Sequence, residues 1–288
     1  MTTRSGTPRS LPPVVVSALR CSVCSAPLHP DGRSLRCVRR HSFDLAKQGY
    51  VNLLRAGVDA GTADTSEMAA ARADFLATGR YAPLVDVLAR VVEASGEPEF
   101  VVDAGAGTGY YLAGVLDRVA SAWGLALDVS APALRRAAKA HPRIGAVVWN
   151  LWEPWPVADG VADVVLDVFA PRNTAEFHRV LRPGGLLAVA TPGAGHLREL
   201  VTELGLLDIA GDKTDRIAES LGDHFEPVDV DTASHTAELD ADEVRKLVLM
   251  GPNAHHLHRG GLGAKLDALT GATEVTFEFD VSVLRRKE

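Results

Sequence analysis

Short apolar runs alternate with stretches of helical periodicity over most of the chain after residue 64. Apolar runs bounded by glycine or proline are typical of strands, and apolar residues recurring every three to four positions are typical of helices. The pattern predicts strands over residues 100–102, 124–130, 145–150, 162–171, 227–233 and 274–284, with one more after residue 185. It predicts helices over residues 65–78, 83–94, 110–122, 196–204 and 241–250. This alternation is typical of an α/β fold with a parallel sheet.

A glycine-rich loop joins the first predicted strand to the helix at residues 110–122. Gly105, Gly107 and Gly109 occupy every second position of this loop. Glycine has no Cβ and tolerates positive φ, so a ligand can lie against the backbone while amides at the helix start point towards it. The order G-x-G-x-G differs from the dinucleotide fingerprint, and no Lys-Ser/Thr pair follows as in a phosphate-binding loop. The glycines alone therefore leave an ordinary strand-to-helix turn open.

Polar side chains end the first three strands of the predicted sheet. Asp103 ends the first strand, Asp128 the second and Asn150 the third. At the carboxyl edge of a parallel sheet, an acid on the second strand can bind ribose hydroxyls, and an amide on the third suits an adenine edge. Asp103 is placed to receive an ammonium group or to orient the glycine loop.

This arrangement resembles the S-adenosylmethionine (SAM)-dependent methyltransferases of class I, which have a Rossmann-like, seven-stranded sheet. Residues 154–165 and 182–185 resemble the fourth and fifth strand regions of the same superfamily. The resemblance implies SAM as the cofactor.

The N-terminal region contains a metal-ligand pattern. Cys21-x-x-Cys24 is followed, after twelve residues, by Cys37-x-x-x-His41, which uses all three cysteines of the protein. Three thiolates and one imidazole fill a tetrahedral coordination sphere, so a bound zinc ion is expected to be structural rather than catalytic. Incidental buried cysteines are the alternative. Residues 27–32 predict the hairpin of a zinc ribbon.

The charge distribution changes what this region is expected to bind. The chain has a net charge of -7, yet residues 1–57 contain nine Lys or Arg against two acids. A basic head on an acidic body indicates contact with a polyanion, although a solvated basic surface stays open. The candidate RNA contacts are Arg33, Arg36, Arg39, Arg40, Lys47 and Arg55. The overall composition, 47% hydrophobic and 23% charged, allows a full core and argues against global disorder.

Residues 41–54, together with the zinc ligands, residues 64–68 and residues 81–84, resemble the large-subunit ribosomal RNA guanine-N1-methyltransferases. That family includes a branch conferring tylosin and mycinamycin resistance. The resemblance implies a homodimer that methylates a guanine in a hairpin of 23S RNA domain II, with guanine 748 favoured, guanine 745 as the alternative, and macrolide resistance as a consequence. It implies an RNA partner and no DNA or membrane partner. By the same resemblance, Tyr81, Gly107, Thr108 and His196 match positions that line the cofactor pocket.

The complete set of expected cofactor contacts combines the strand ends, the glycine loop and the family match. It comprises Tyr81, Asp103, Gly105, Gly107, Thr108, Gly109, Tyr110, Asp128, Asn150 and His196.

The expected domain organisation has four parts. Residues 1–17 form a flexible tail, residues 18–57 a zinc-binding RNA-recognition domain, residues 58–98 a linker with bridging helices, and residues 99–288 the methyltransferase domain. Residues 55–64 are glycine-rich and predict the linker itself. No apolar run approaches the length of a membrane span and no secretory signal is recognisable, so a soluble cytoplasmic protein is expected.

Several residues keep two interpretations. Asp167 is the nearest carboxylate to the expected substrate entrance and a weak candidate for the general base, but a structural role is favoured. Trp149, Trp152 and Trp155 could stack on a base, although capping of the sheet edge is favoured. The histidine-rich residues 255–259 suit a polar loop better than a second metal site.

Two other function classes stay open. The first is a small-molecule methyltransferase, and the second is a non-catalytic RNA-binding protein that keeps the cofactor fold as a scaffold.

Overall fold

A computed structural model describes residues 10–55, 57, 63–207, 221–257 and 261–288, and within them a large mixed sheet forms the centre of the fold. The N-terminal strands are β1 (Leu28–Asp31), β2 (Ser34–Cys37), β3 (Ser42–Asp44) and β4 (Tyr50–Asn52). The later strands are β5 (Phe100–Ala104), β6 (Trp123–Asp128), β7 (Ile144–Val148), β8 (Ala162–Val168), β9 (Leu181–Pro192), β10 (Phe225–Asp240) and β11 (Ala272–Arg286). The large sheet has the order β10-β11-β9-β8-β5-β6-β7-β4, and β1, β2 and β3 form a separate small sheet.

The direction of the strands follows the connections between them. Neighbours from β4 to β9 are parallel, whereas β11 runs antiparallel to both β9 and β10. Parallel neighbours need a crossover, and a helix supplies it after β5, β6 and β8. The prediction of a Rossmann-like seven-stranded sheet is confirmed, and β4 adds an eighth strand at one edge. Three residues are too few to show a strand periodicity, so the sequence pattern does not predict β4.

The helices of the described chain are α1 (Pro13–Ala18), α2 (Ser66–Leu76), α3 (Ala82–Ala94), α4 (Tyr110–Arg118), α5 (Ala131–Ala140), α6 (Thr174–Val180), α7 (Arg198–Leu204), α8 (Ala241–Leu249) and α9 (Leu262–Ala268). Residues Pro252–His256 form a 3-10 helix. Side chains of Thr65, Ser130, Asn173 and Asp240 cap α2, α5, α6 and α8 by accepting hydrogen bonds from backbone amides. Among the helices described, none combines the length and apolar content needed to cross a bilayer.

The two faces of the sheet lie against two separate hydrophobic cores. Along β5 and β6, Val101 and Ala126 enter one core, whereas Val102 and Leu127 enter the other, as the period of two in a strand requires. Helices α2 to α5 and α7 to α9 cover the first core. The second core is covered by α1, α6 and the β1–β2 hairpin, and it includes Cys21 and Cys37.

Helix α1 corrects the expectation that residues 1–17 form a flexible tail. Residues 1–9 lie outside the described chain, but Val15 and Val16 of α1 are 0% and 5% exposed. The helix packs so close to β7 that a Cβ added at Gly145 would lie 2.6 Å from Val15 Cγ1. A six-residue helix gives no periodic signal of its own, so it depends on this burial, which the local pattern does not reveal.

The N-terminal unit is joined to the sheet rather than set apart from it. Strand β4 pairs in parallel with β7, with Tyr50 opposite Ala146, and residues of the unit share the second core. The expected boundary after residue 57 therefore does not separate two packing units. Residues 56 and 58–62 of the expected linker lie outside the described chain.

The close approach of α1 to β7 predicts the effect of Gly145→Val. We expect this variant to lower the free energy of unfolding by about 1–3 kcal/mol in urea denaturation, because its side chain overlaps Val15. Adding Val15→Ala removes the overlapping methyl group. The loss of unfolding free energy in the double variant should therefore be smaller than the sum of the two single losses, by more than about 0.5 kcal/mol. Strictly additive losses would contradict the contact between α1 and β7.

Candidate cofactor cavity and zinc centre

An open cavity of about 520 Å³ lies at the carboxyl ends of β5 to β8. In open α/β sheets, ligands bind in the crevice outside these strand ends. Six of the expected cofactor contacts line the cavity: Gly105, Gly107, Thr108, Tyr110, Asp128 and Asn150. Gly109 does not line it; instead Gly109 begins α4 in the left-handed conformation and packs against Ala137 of α5.

The glycine loop, at the base of this cavity, has positive φ angles and close contacts that favour glycine. Gly105 has φ +79°, and a Cβ there would overlap the Cβ of Ala170 in the loop after β8. Gly107 has φ +53°, and its amide donates a hydrogen bond to Asp128 Oδ2 at 2.8 Å. Other side chains at Gly105 would therefore push two strand ends apart, which explains the need for glycine.

Asp128 holds the loop and the next helix together. Its Oδ1 accepts a hydrogen bond from the amide of Ser130 at 2.7 Å, while its Oδ2 accepts the one from Gly107. Burial raises the pKa of Asp128, and these two amides oppose the shift. Each carboxylate oxygen keeps a second lone pair, so Asp128 can still accept hydrogen bonds from a ribose.

Asp103 lies beneath the loop, is fully buried and, like Gly109, does not line the cavity. In the described part of the chain, neither of its carboxylate oxygens has a hydrogen-bond partner. Burial, with a further contribution from the negative charge of Asp128, raises the pKa of Asp103 to about 8. A buried carboxyl group without a donor is costly to ionise, so Asp103 suits a cationic ligand group such as the ammonium of SAM.

A second cavity of about 440 Å³ adjoins the first and contains the two remaining expected contacts. Tyr81 Oη and His196 Nε2 are 3.4 Å apart there. His196 Nδ1 accepts a hydrogen bond from the amide of Glu278, and burial lowers the pKa of His196 to about 4. His196 is therefore a neutral group in this cavity near pH 7.

The residues between the two cavities were not among the expected site residues. Asp64, Arg72, Tyr111, Phe169 and Ala170 line both of them. Arg72 lies in an alanine-rich helix. A single cation in such a helix usually faces solvent, so the sequence pattern does not place Arg72 in a site. Phe169 has φ +56°, which is rare for a residue other than glycine and is often found at functional sites.

Asp167 is fully buried, and its Oδ1 accepts a hydrogen bond from the amide of Ala170 at 3.2 Å. It lines neither cavity, which supports a structural role rather than that of a base. Trp149 and Trp155 are buried beside the sheet, whereas Trp152 is 67% exposed at the rim of the first cavity. His255 lines the second cavity; residues 258 and 259 of the histidine-rich segment lie outside the described chain.

The four expected zinc ligands converge on one point. Their ligand atoms all lie within 4.8 Å of one another. His41 Nδ1 is 3.4 Å from both Cys21 Sγ and Cys37 Sγ, and Cys24 Sγ is 3.7 Å from Cys37 Sγ. Ligands of a tetrahedral zinc ion are about 3.5–3.8 Å apart, since Zn–S is about 2.3 Å and Zn–N about 2.0 Å. The donor set therefore fits a structural zinc ion.

Each half of this centre is a tight turn. The amide of Ser25 donates to the carbonyl of Cys21 at 2.8 Å, and the amide of Arg40 donates to the carbonyl of Cys37 at 2.9 Å. Both Ser25 and Arg40 have positive φ, of 58° and 67°. Such backbone conformations cost energy in residues other than glycine, so metal binding has to stabilise them.

The expected RNA-binding residues differ in whether their charged groups already form ion pairs or hydrogen bonds within the protein. Arg36 forms an ion pair with Asp31 at 2.8 Å, and Arg55 approaches Glu153 at 3.8 Å. Arg33 donates to the carbonyl of Leu45 at 3.5 Å. Arg39, Arg40 and Lys47 are exposed and form no ion pair within the described ranges. These three charges are the most available to a polyanion.

The sheet order, the glycine loop and the buried acids define a class I SAM-dependent methyltransferase that carries an N-terminal zinc ribbon. A family model described as "RlmA, N-terminal" matches residues 19–57, and one described as "Methyltransferase domain" matches residues 101–185.

Two relatives extend this match to nearly the whole chain. A 23S rRNA (guanine(748)-N(1))-methyltransferase of Streptomyces fradiae is 47% identical, covering 94% of this chain and 98% of the relative. A protein of Micromonospora griseorubida named as a 23S rRNA (guanine-N(1)-)-methyltransferase is 50% identical, covering 92% and 96%. The chain belongs to the family of 23S rRNA guanine-N1-methyltransferases. The resemblance found in the sequence is thus confirmed.

The zinc centre predicts a difference between two histidines of the ribbon. We expect His41→Ala to lower the bound metal below about one zinc per chain and to lower the thermal unfolding temperature, because a ligand is lost. His29 of β1 is exposed and not part of the centre, so His29→Ala is the matched control. Metal analysis by atomic emission, with calorimetry, measures both effects. Equal zinc content in the two variants would contradict the assignment.

Asp103 predicts a pH dependence of stability in the cofactor-free protein. Its folded-state pKa of about 8 lies above that of an unfolded chain, so the folded protein holds the proton more tightly. Raising the pH from 5 to 8 then lowers the free energy of unfolding. Relative to wild type, Asp103→Asn should gain on the order of 1–4 kcal/mol across this range, because the amide cannot ionise.

Chemical denaturation at several pH values measures this difference. Asp86→Asn, which changes an exposed carboxylate of α3, is the control and should run parallel to wild type. A pH-independent difference between Asp103→Asn and wild type would show that Asp103 is not protonated in the fold.

Proposed function

We propose that this protein transfers a methyl group from SAM to N1 of a guanine in a hairpin of 23S ribosomal RNA. The observation that carries the proposal is the joining of two sites on one sheet. The cavity with its glycine loop lies at the strand ends, and the basic zinc ribbon is fixed to the same sheet through β4 and the second core. The nearly full-length similarity to the S. fradiae enzyme supports the RNA substrate.

The residues of the first cavity suggest how the cofactor is held. When bound, SAM supplies an electrophilic methyl group on a sulfonium. Asp128 accepts hydrogen bonds from the ribose, Asn150 faces the adenine edge, and Asp103 offsets the ammonium charge from beneath the loop. Thr108 and Tyr110 flank the loop, and Tyr81 and His196 contact the cofactor from the side of the second cavity. Binding in this orientation positions the methyl group for in-line attack.

The ribbon delivers the RNA. Arg33, Arg36, Arg39, Arg40, Lys47 and Arg55 provide the positive surface that contacts phosphates, which fixes the position of the hairpin without reading its sequence. The target guanine turns out of the helical stack to reach the cavity. We propose guanine 748 as the target because the S. fradiae relative is named for it, with guanine 745 as the alternative. Macrolide resistance, a homodimer and a cytoplasmic site of action complete the proposal.

Reverse transcription tests the reaction directly. Undermethylated 23S RNA is incubated with the protein and SAM, and reverse transcriptase then extends a primer along it. Methylation at guanine N1 blocks base pairing and stops the enzyme at that nucleotide. The proposal predicts one new stop beside a guanine of the hairpin. Absence of any SAM-dependent stop would overturn the proposal.

Charge reversal in the ribbon predicts a selective loss of RNA binding. Arg39→Glu with Lys47→Glu should weaken hairpin binding by about 10- to 100-fold at low salt and flatten the salt dependence, since each phosphate contact releases a counterion. SAM affinity should be unchanged. The matched control is Arg135→Glu with Lys139→Glu, an equal charge change on α5, which packs against the opposite face of the sheet.

Filter binding or fluorescence anisotropy at several salt concentrations measures the effect. Equal losses in the two double variants would show that overall charge, rather than the ribbon surface, drives binding.

A further inference from the structure

The wall between the two cavities contains an ion pair that the sequence analysis did not assign to the site. Arg72 Nε and Nη2 lie 2.9 Å and 2.8 Å from Asp64 Oδ2. Arg72 Nη2 also donates to the carbonyl of Met250 at 2.6 Å, and Ser130 Oγ donates to the carbonyl of Asp64 at 2.7 Å. Contacts from the residue that caps α5 and from the residue after α8 thus fix the pair in place.

The pair is not fully engaged. Within the described part of the chain, no hydrogen bond uses Asp64 Oδ1 or Arg72 Nη1. The two side chains are 19% and 26% exposed, and both line both cavities. With respect to the described residues, one carboxylate oxygen and one guanidinium nitrogen therefore remain available to a ligand.

The position of the wall is set by the reaction itself. With the donor in the first cavity and the target base in the second, methyl carbon and guanine N1 approach to about 3–3.5 Å at the wall that the cavities share. Of the five shared residues, Phe169 and Ala170 offer no ionisable group. Burial raises the pKa of Tyr111 well above its ordinary value. Its hydroxyl therefore stays protonated and does not accept a proton. Among the described residues that line both cavities, Asp64 is the only carboxylate.

Guanine N1 carries a proton that must leave as the methyl group arrives, and negative charge then spreads to O6. We propose that Asp64 accepts the N1 proton and that Arg72 donates a hydrogen bond to O6 of the target guanine. This inference rests on the proposed function and names the groups that perform its proton transfer.

The step balances in atoms and electrons. The N1–H bond breaks and its proton moves to Asp64 Oδ1, while the N1 electron pair forms the bond to the methyl carbon. The carbon–sulfur bond breaks with its electron pair on sulfur, which leaves neutral S-adenosylhomocysteine. Asp64 then releases the proton to water. Arg72 offsets the negative charge that develops on the base.

Other charged and titratable groups face the pair from each neighbouring element. Asp128 on β6 lines the first cavity together with Asp64, and its pKa responds to the charges of both Asp64 and Arg72. The second cavity adds Tyr81 before α3, Tyr111 on α4, Arg172 after β8, His196 before α7 and His255 in the 3-10 helix. His196 is neutral near pH 7. The pH test below therefore compares variants of Asp64 with all these groups unchanged.

Single-turnover methylation of the hairpin by Asp64→Asn tests the inference. At pH 7 we expect the rate to fall by about 10²- to 10⁴-fold, the usual contribution of a positioned base. The wild-type rate should change little from pH 7 to 9, because a positioned base takes the N1 proton without help from solvent. The Asp64→Asn rate should rise by about tenfold per pH unit, as guanine N1 loses its proton to solvent. SAM affinity, measured by calorimetry, should stay within about threefold of wild type, since the cofactor does not depend on Asp64 for binding.

Two further variants separate proton transfer from structure. Asp64→Glu keeps a carboxylate and should recover part of the rate with a flat pH profile. Asp231→Asn breaks an Asp–Arg pair of similar length, 2.7 Å to Arg90, that lines neither cavity, so it should behave as wild type.

The outcomes distinguish the inference from the proposed function. If wild type methylates the hairpin and Asp64→Asn keeps a flat pH profile, the inference is wrong and the proposed function stands. The inference is equally overturned if SAM affinity falls in proportion to the rate, because Asp64 then holds the cofactor. If wild type does not methylate RNA under any condition, the proposed function fails, and the inference with it.

Discussion

Packing of the zinc ribbon onto one face of the sheet is the constraint on which the rest of the structure depends. The ribbon's strands have three or four residues each, too few to enclose a core of their own. Zinc closes the ribbon from inside, and Leu28 and Leu35 bury its remaining apolar surface in the core beneath β5 and β6. Strand β4 then continues the sheet. The basic surface is consequently fixed at a set distance from the strand ends, where the methyl donor binds.

The same sheet imposes an electrostatic cost at its carboxyl edge. Asp103, Asp128 and Asp167 lie at the ends of three neighbouring strands. Asp103 and Asp167 are buried and Asp128 is half-buried, and desolvation raises the pKa of each. Asp128 and Asp167 offset part of that cost through backbone amides that shape the two loops around the cavity. Asp103 has no such partner in the described chain. A cationic cofactor supplies the positive charge that the protein does not place beside Asp103. Cofactor binding is therefore expected to raise the free energy of unfolding.

Local patterns were enough to predict most of the sheet, the glycine loop and the four metal ligands. Helix α1, strand β4 and the wall between the cavities were not predictable, because each depends on contacts between distant parts of the chain. Val15 is buried only because Gly145 leaves space for it, and Arg72 meets Met250 across 178 residues. Tyr81 and His196 entered through family resemblance alone, and their contact with the cofactor stays a prediction.

The identity of the modified nucleoside tests the central claim most directly. Hairpin RNA treated with the protein and methyl-labelled SAM is digested to nucleosides and analysed by mass spectrometry against standards. The account predicts 1-methylguanosine as the labelled product, at no more than about one per hairpin, since a single flipped guanine enters the cavity. Label in 2-methylguanosine, in a ribose methyl group or only in a small molecule would contradict it.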